Sequence, residues 1–230
     1  MSRCFQLVFG TDIVKPTERI LDIPNRPAAP AVFGRISSFY DGLVQTYGHD
    51  PKACDYGRAE SQIVKFRVLA DVSPLSNKSV LDVGCGFADF SGYLNERYSN
   101  VKYSGVDLSG SMIREAQRCL PDVDVRVGNI LDIAGENTVD VVTANGIFYL
   151  LEEEAPRLMQ TLVNRMFALC RMAVAFNSLS SWAPDQEAGE FYADPLQTLS
   201  WCRALSPFVV LRHDYHSRDF TVYIYKGPIR

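Results

Sequence analysis

Apolar positions divide the chain into two regimes. In "GRISSFYDGLVQTYG", Ile36, Phe39, Tyr40, Leu43 and Tyr47 recur three or four residues apart, and Ile63, Phe66 and Ala70 do the same in "RAESQIVKFRVLADV". Both stretches predict helices. After residue 78 short apolar blocks alternate with helix-spaced ones. The strand candidates are "SVLDV", "KYSGVDL", "VDVRVGN", "TVDVVTAN" and "RMAVAFN". Between them, Phe87, Phe90, Leu94 and Tyr98, then Met112, Ala116 and Leu120, form stripes typical of helices packed on a sheet. Such alternation implies right-handed crossovers and a parallel sheet covered on both faces. After a helical "DPLQTLSWCRAL", the run "FVVLRHDYHSRDFTVYIYK" reads as two strands joined by a polar turn. An antiparallel hairpin therefore closes the sheet.

The expected fold is α/β: a doubly wound, mostly parallel, seven-stranded Rossmann-like sheet with that hairpin at its end. Pro16, Pro24, Pro27 and Pro30 crowd residues 1–34, where proline opposes regular helix, so this segment is read as an extended arm. Residues 35–77 follow as a helical lid and 78–230 as the core.

Composition narrows the partners. The 230 residues are 47% hydrophobic and 22% charged, as in an ordinary folded globule, and the formal net charge is -4. An acidic surface argues against a nucleic-acid backbone as ligand. No apolar run reaches the roughly 18 residues of a membrane span, and the N-terminal apolar run is too brief for a usual signal peptide. A cytoplasmic location is expected. The six cysteines are scattered without a C-x-x-C pair, and only His49, His213 and His216 supply imidazoles, so no metal is expected.

The densest chemistry lies in "VLDVGCGFADF", a buried-strand pattern running into Gly84, Gly86 and a helix start, with Asp82 before the turn and Asp89 after it. In a doubly wound sheet this first strand-to-helix turn is the usual ligand contact. The dinucleotide fingerprint G-x-G-x-x-G fails here, because Asp89 occupies its sixth position. Pyrophosphate favours a helix N-terminus with its N–H groups free of acids, whereas Asp82 and Asp89 suit a ligand carrying an ammonium and a sulfonium. A first-turn acid favouring the helix dipole accounts for Asp89 equally well. Asp107 ends the next strand at close to the roughly 20-residue spacing that puts a carboxylate on a ribose. The ligand reads as a nucleoside with a positive tail.

With "VLDVGCG", "GVDLS", "VRVGNILDI", "VDVVTANGIFYLL" and the terminal hairpin in this order, residues 78 to about 226 resemble the class I S-adenosylmethionine-dependent methyltransferases. The resemblance implies S-adenosylmethionine as cofactor. It assigns Asp82, Gly84 and Gly86 to the methionine end, Asp107 to the ribose, Leu108 to the adenine face, and Asn129 and Ile130 to the adenine amine. Asn145 would line the methionine side. Ala88 departs from the family's third glycine, and Asn129 from its usual Asp.

Methyl transfer from a sulfonium needs alignment above all; proximity supplies roughly 7–11 kcal/mol and a positioned base a factor of about 10²–10⁴. His213 and His216, in a hairpin turn at the carboxyl edge, are the candidate bases. Strand alternation would put His213 with Tyr215 on one face and His216 on the other. Tyr40, Tyr47, Arg58 and Tyr149 are candidates for covering the cleft or meeting the acceptor, as are His49 and Tyr56. Without an Asn-Pro-Pro-aromatic pattern after the fourth strand, a small-molecule acceptor is favoured, with no nucleic acid and no membrane, and a homodimer is compatible. The competing readings are a non-catalytic S-adenosylmethionine sensor or partner subunit and an aminopropyl transferase. The latter would want an acidic cluster where "ANGIFYLL" is uncharged.

Overall fold

A computed structural model describes residues 29–55 and 59–229. In chain order the elements are α1 (Ala29–Tyr47), a short 3₁₀ turn (Pro51–Cys54), α2 (Ala59–Ala70), β1 (Ser79–Val83), α3 (Asp89–Asn95), β2 (Lys102–Asp107), α4 (Gly110–Cys119), β3 (Asp124–Val127), β4 (Val139–Ala144), α5 (Ala155–Leu169), β5 (Cys170–Leu179), α6 (Pro195–Leu205), β6 (Val209–Arg212) and β7 (Asp219–Tyr225). One seven-stranded sheet takes the order β3-β2-β1-β4-β5-β7-β6. The pairs among β1 to β5 are parallel, while β7 runs antiparallel to both β5 and β6. The expected doubly wound sheet with a terminal hairpin is what the chain forms. Strand order reverses between β1 and β4, the point where such sheets bind ligands at their carboxyl ends.

Alternation along the strands feeds two cores. Leu81 and Val83 of β1, with Val142, Val174 and Val222, pack against Leu158, Leu162 and Met166 of α5. Val80, Val141, Ala173 and Tyr223 face the other way, onto Phe66 and Leu69 of α2 and Phe90 and Leu94 of α3. Asp82 shares this second face, and that is why it meets side chains of β2 and β4 rather than solvent. Among the described residues no helix is long and apolar enough to cross a membrane.

Four local expectations change. Helix α1 begins at Ala29, inside the segment read as an extended arm, with Pro30 in the first turn where a missing N–H costs nothing; residues 1–28 lie outside the described part. The stretch read as one lid also splits. Helix α1 and the 3₁₀ turn pack over the starts of α3 and α4, where Tyr40, Leu43 and Val44 meet Phe87 and Met112. Helix α2 instead belongs to the sheet's helical layer, tied by Tyr223 and Tyr225 hydroxyls donating to the carbonyls of Val68 and Val72. On α2, Ile63 is exposed while Gln62 and Lys65 are buried, because that face of the helix looks into a polar cleft. Finally, Phe87 precedes α3 and joins the α1 cluster rather than continuing the stripe of Phe90 and Leu94.

Candidate active site

A cavity of about 630 Å³ runs along the carboxyl ends of the strands, from the β1 and β2 termini to the start of β7. All eight residues assigned to the cofactor line it: Asp82, Gly84, Gly86, Asp107, Leu108, Asn129, Ile130 and Asn145. The β1–α3 turn is shaped by left-handed backbone. Gly84 has φ 70° and Gly86 φ 55°, a region that L side chains adopt only with strain. A Cβ on Gly84 would stand 2.3 Å from Ile147 Cγ2, so the chain approaches here as only glycine permits. Ala88, in place of the third glycine, is also left-handed at φ 62° and fully buried; a non-glycine residue there costs about 1–2 kcal/mol.

Two acids organise this turn. Asp107 accepts from Gly86 N–H on Oδ2 and from Ser109 N–H on Oδ1, each at 2.8 Å, so one carboxylate pins the glycine turn and the β2–α4 turn together. Asp82, 4% exposed, accepts from the Thr143 hydroxyl at 2.8 Å and the Tyr103 hydroxyl at 2.9 Å. Thr143 is its direct neighbour on β4, a pairing the sheet register creates. Burial, with a smaller push from Asp107, raises the Asp82 carboxyl to about 7 against the downward pull of the two hydroxyls. Burial also raises Asp107 above the usual carboxylate range, against its N–H donors. These acids are held by hydroxyl and N–H groups rather than by a cation, and a positive ligand would favour their ionised form.

At the adenine end predicted from sequence, Asn129 Oδ1 accepts from Leu131 N–H at 3.0 Å and so caps a short 3₁₀ turn. One of its two lone pairs is committed and the other is free for a ligand. Asn145 is oriented by Asn177, whose amide N–H donates to it at 2.6 Å and whose oxygen accepts from Gly146 N–H at 2.7 Å. Buried Asn177 was not legible in the sequence; neither were Tyr103 and Thr143. Each is a polar residue in a strand whose meaning depends on its cross-strand neighbour.

The cover is latched by hydroxyls. Tyr40 of α1 and Tyr149 of the β4–α5 connection lie 2.9 Å apart at their oxygens, and the Tyr149 hydroxyl donates to Asp55 at 2.7 Å. Both tyrosines line the cavity. Asp41 clamps α1 to α4, accepting from Ser109 Oγ at 2.6 Å and Ser111 N–H at 3.0 Å. Ser37 adds a bond to the Leu108 carbonyl at 2.9 Å. Tyr47 is 47% exposed and lies off the cavity, because it falls on the outer face of α1. Arg58 and Tyr56 lie outside the described residues.

At the far wall, His216 lines the cavity and His213 does not. His213 Nε2 bonds Ser180 Oγ at 2.8 Å, and its ring lies between Trp182 and Phe220, a packing position that takes it out of the site. The alternation expected for this stretch fails because residues 213–218 form a turn, not a strand. Tyr215 accordingly packs in the α2 core, on the opposite side of the sheet from Phe220. His216 Nδ1 lies 2.8 Å from Asp219 Oδ2, and Asp219 Oδ1 lies 3.0 Å from Lys65 Nζ. The Arg218 N–H donates to the same Nδ1 at 3.2 Å, so this nitrogen stands between an N–H donor and a carboxylate; the shorter contact, to Asp219, favours the tautomer with the proton on Nδ1. Burial pushes Asp219 up, yet His216 and Lys65 outweigh it and hold the carboxyl below its usual range. Asp219 and Lys65 are further residues that sequence reasoning missed, although His216 and Asp219 stand three apart in the quoted turn.

The donor set fits a nucleoside with a cationic tail: a carboxylate with spare lone pairs at the β2 end, glycines that open the turn, and buried acids awaiting positive charge. Comparison with known proteins points to methyl transfer. A family model described as a methyltransferase domain matches residues 80–167. A Mycobacterium tuberculosis protein, a methyltransferase by name, is 28% identical over 169 residues, which cover 70% of this chain and 99% of that protein. The trans-aconitate 2-methyltransferase of Escherichia coli is 36% identical over 88 residues, 38% of this chain but only 34% of the enzyme. Among solved structures, phosphoethanolamine N-methyltransferase 1 of Haemonchus contortus, in complex with phosphoethanolamine and S-adenosylhomocysteine, superposes with TM-score 0.67 at 15% identity over 88% of this chain and 50% of that one. Residues 80–167 thus match a methyltransferase domain, and the chain has the fold of methyltransferases of known structure.

Proposed function

We propose that this enzyme methylates a small molecule by in-line displacement, with His216 as the base that takes the acceptor's proton. When bound, S-adenosylmethionine supplies a methyl group already activated on a sulfonium. Each Asp107 oxygen holds one N–H and keeps lone-pair capacity for a ribose hydroxyl. Leu108 offers an apolar face to the adenine, and Asn129 and Ile130 meet its amine edge. Asp82 and Asn145 face the methionine end.

The observation that carries the reading is that His216 faces the same cavity as these groups while its Nδ1 is engaged by Asp219. With the proton on Nδ1, Nε2 presents its lone pair, and the described residues give it no partner. An acceptor O–H or N–H there would lose its proton to Nε2, and Asp219 would stabilise the resulting imidazolium. Lys65 keeps Asp219 ionised. The cavity supports a small acceptor, since about 630 Å³ must hold cofactor and acceptor together and ligand pockets of roughly 300–1,000 Å³ take small molecules. The relatives named for trans-aconitate and phosphoethanolamine act on compact polar acceptors, which agrees with this size.

The test combines calorimetry with S-adenosylmethionine and detection of S-adenosylhomocysteine release across a panel of hydroxyl, carboxyl and amine metabolites. Cofactor binding and turnover of a small acceptor are expected, both sparing nucleic acid and protein substrates. Turnover confined to a macromolecular substrate would refute the small-molecule reading.

A further inference from the structure

Outside the cleft, two segments far apart in sequence bring three metal-type donors together. His49 follows α1; Glu115 and Cys119 stand four apart on one face of α4. His49 Nδ1 is 3.3 Å from Cys119 Sγ and 4.0 Å from Glu115 Oε1, and Cys119 Sγ is 3.6 Å from Glu115 Oε1. In a tetrahedral zinc site, bonds of about 2.0 Å to nitrogen and oxygen and about 2.3 Å to sulfur put donors roughly 3.3–3.6 Å apart. The observed triangle matches this with only small adjustment.

We propose that His49 Nδ1, Glu115 Oε1 and Cys119 Sγ form a site for a divalent transition-metal ion of the zinc type, completed by water. Three features support it. His49 Nε2 lies 3.1 Å from Asp89 Oδ1, the carboxylate partner that fixes the tautomer of a ligating histidine and turns its other lone pair to the metal. The His49 ring also lies 4.2 Å from that of Phe87, which fixes its plane. Cys119 is the last residue of α4, so the negative end of that helix adds to the attraction for a cation. The guanidinium of Arg118 sits on the anionic donors, donating to Glu115 Oε1 at 2.6 Å and Oε2 at 2.9 Å and to Cys119 Sγ at 3.3 Å. Its side chain is 70% exposed, so an incoming ion would displace it toward solvent. Because Asp89 also lines the cofactor cleft, an ion here would tie the α1 cover to α4 beside the catalytic cavity.

The experiment uses the full chain as wild type, Cys119→Ser and Arg118→Ala, titrated with Zn²⁺ against a chromophoric chelator and with Co²⁺ for absorption spectra. Wild type is expected to take one ion and to show thiolate-to-cobalt charge-transfer absorption. Cys119→Ser should lose that band and bind Zn²⁺ roughly tenfold or more weakly. Arg118→Ala, which removes the competing cation, should bind more tightly than wild type. Matching thermal melts in chelator establish that the variants fold. Equal Zn²⁺ affinity of wild type and Cys119→Ser, or a wild-type cobalt spectrum without thiolate absorption, would overturn the proposal.

Discussion

Replacing Asp82 by Asn isolates the electrostatics on which cofactor recognition depends. In the cofactor-free fold burial raises this carboxyl from 3.8 to about 7. An acid whose folded pKa lies above its unfolded value is protonated preferentially in the native state. Its contribution is therefore complete at low pH and is lost as pH rises to about 7. At 1.36 kcal/mol per unit, the wild type should lose roughly 2–3 kcal/mol between pH 5 and pH 8 through this group alone. Asn is neutral throughout and keeps an acceptor for Thr143 or Tyr103, so Asp82→Asn should lack this part of the slope. Asp107 is raised as well, but it remains in both proteins and largely cancels in the difference. Urea denaturation of the two at pH 5, 6.5 and 8 measures it. The variant should gain on the wild type as pH rises, while binding S-adenosylmethionine more weakly at pH 8. Parallel stability curves would show that Asp82 is ionised in the empty fold, and the argument from buried, unneutralised acids would fail.

Asp107→Ala should weaken S-adenosylmethionine binding by more than about tenfold, some 1.4 kcal/mol, with a folded circular-dichroism spectrum retained; an unchanged dissociation constant in calorimetry would refute the ribose assignment. Gly84→Ala imposes a strained φ and a 2.3 Å approach to Ile147, so a loss of about 2 kcal/mol or more in chemical denaturation is expected, together with weaker cofactor binding. His216→Asn should lower kcat by about 10²–10⁴ while leaving the cofactor dissociation constant unchanged; a kcat close to wild type would remove His216 from the chemistry. Asp219→Asn should reduce kcat less than His216→Asn, and should lower stability by about 1.5–3 kcal/mol by weakening the charge-assisted contacts to Lys65 and His216, read from chemical denaturation curves.

Much of the cofactor half was legible because its signals are local. The strand-turn-helix around Gly84 and Gly86 and the acid ending β2 lie within short windows, and a sheet topology follows from alternating periods. The substrate half was not, since its groups meet only through folding. His213 and His216 look equivalent in "RHDYHSRD", yet a turn in place of regular strand sends one into packing against Trp182 and Phe220 and the other into the cavity. Lys65 reads as a surface charge on a helix until Asp219 is placed 3.0 Å away. The His49–Cys119 contact, between a loop after α1 and the end of α4, was likewise invisible to sequence spacing.

By itself, then, the order of apolar blocks, glycines and acids determined a doubly wound sheet and a glycine turn with an acid on either side, because backbone periodicity and turn conformation are short-range properties. Which polar side chains act in concert was decided by the tertiary structure alone. Strand register put Thr143 beside Asp82, and helix packing brought Tyr40 to Tyr149, His216 and Lys65 to Asp219, and His49 to Cys119. Hydrogen bonds and ion pairs act over a few ångströms, and only the folded chain brings such distant positions within that reach.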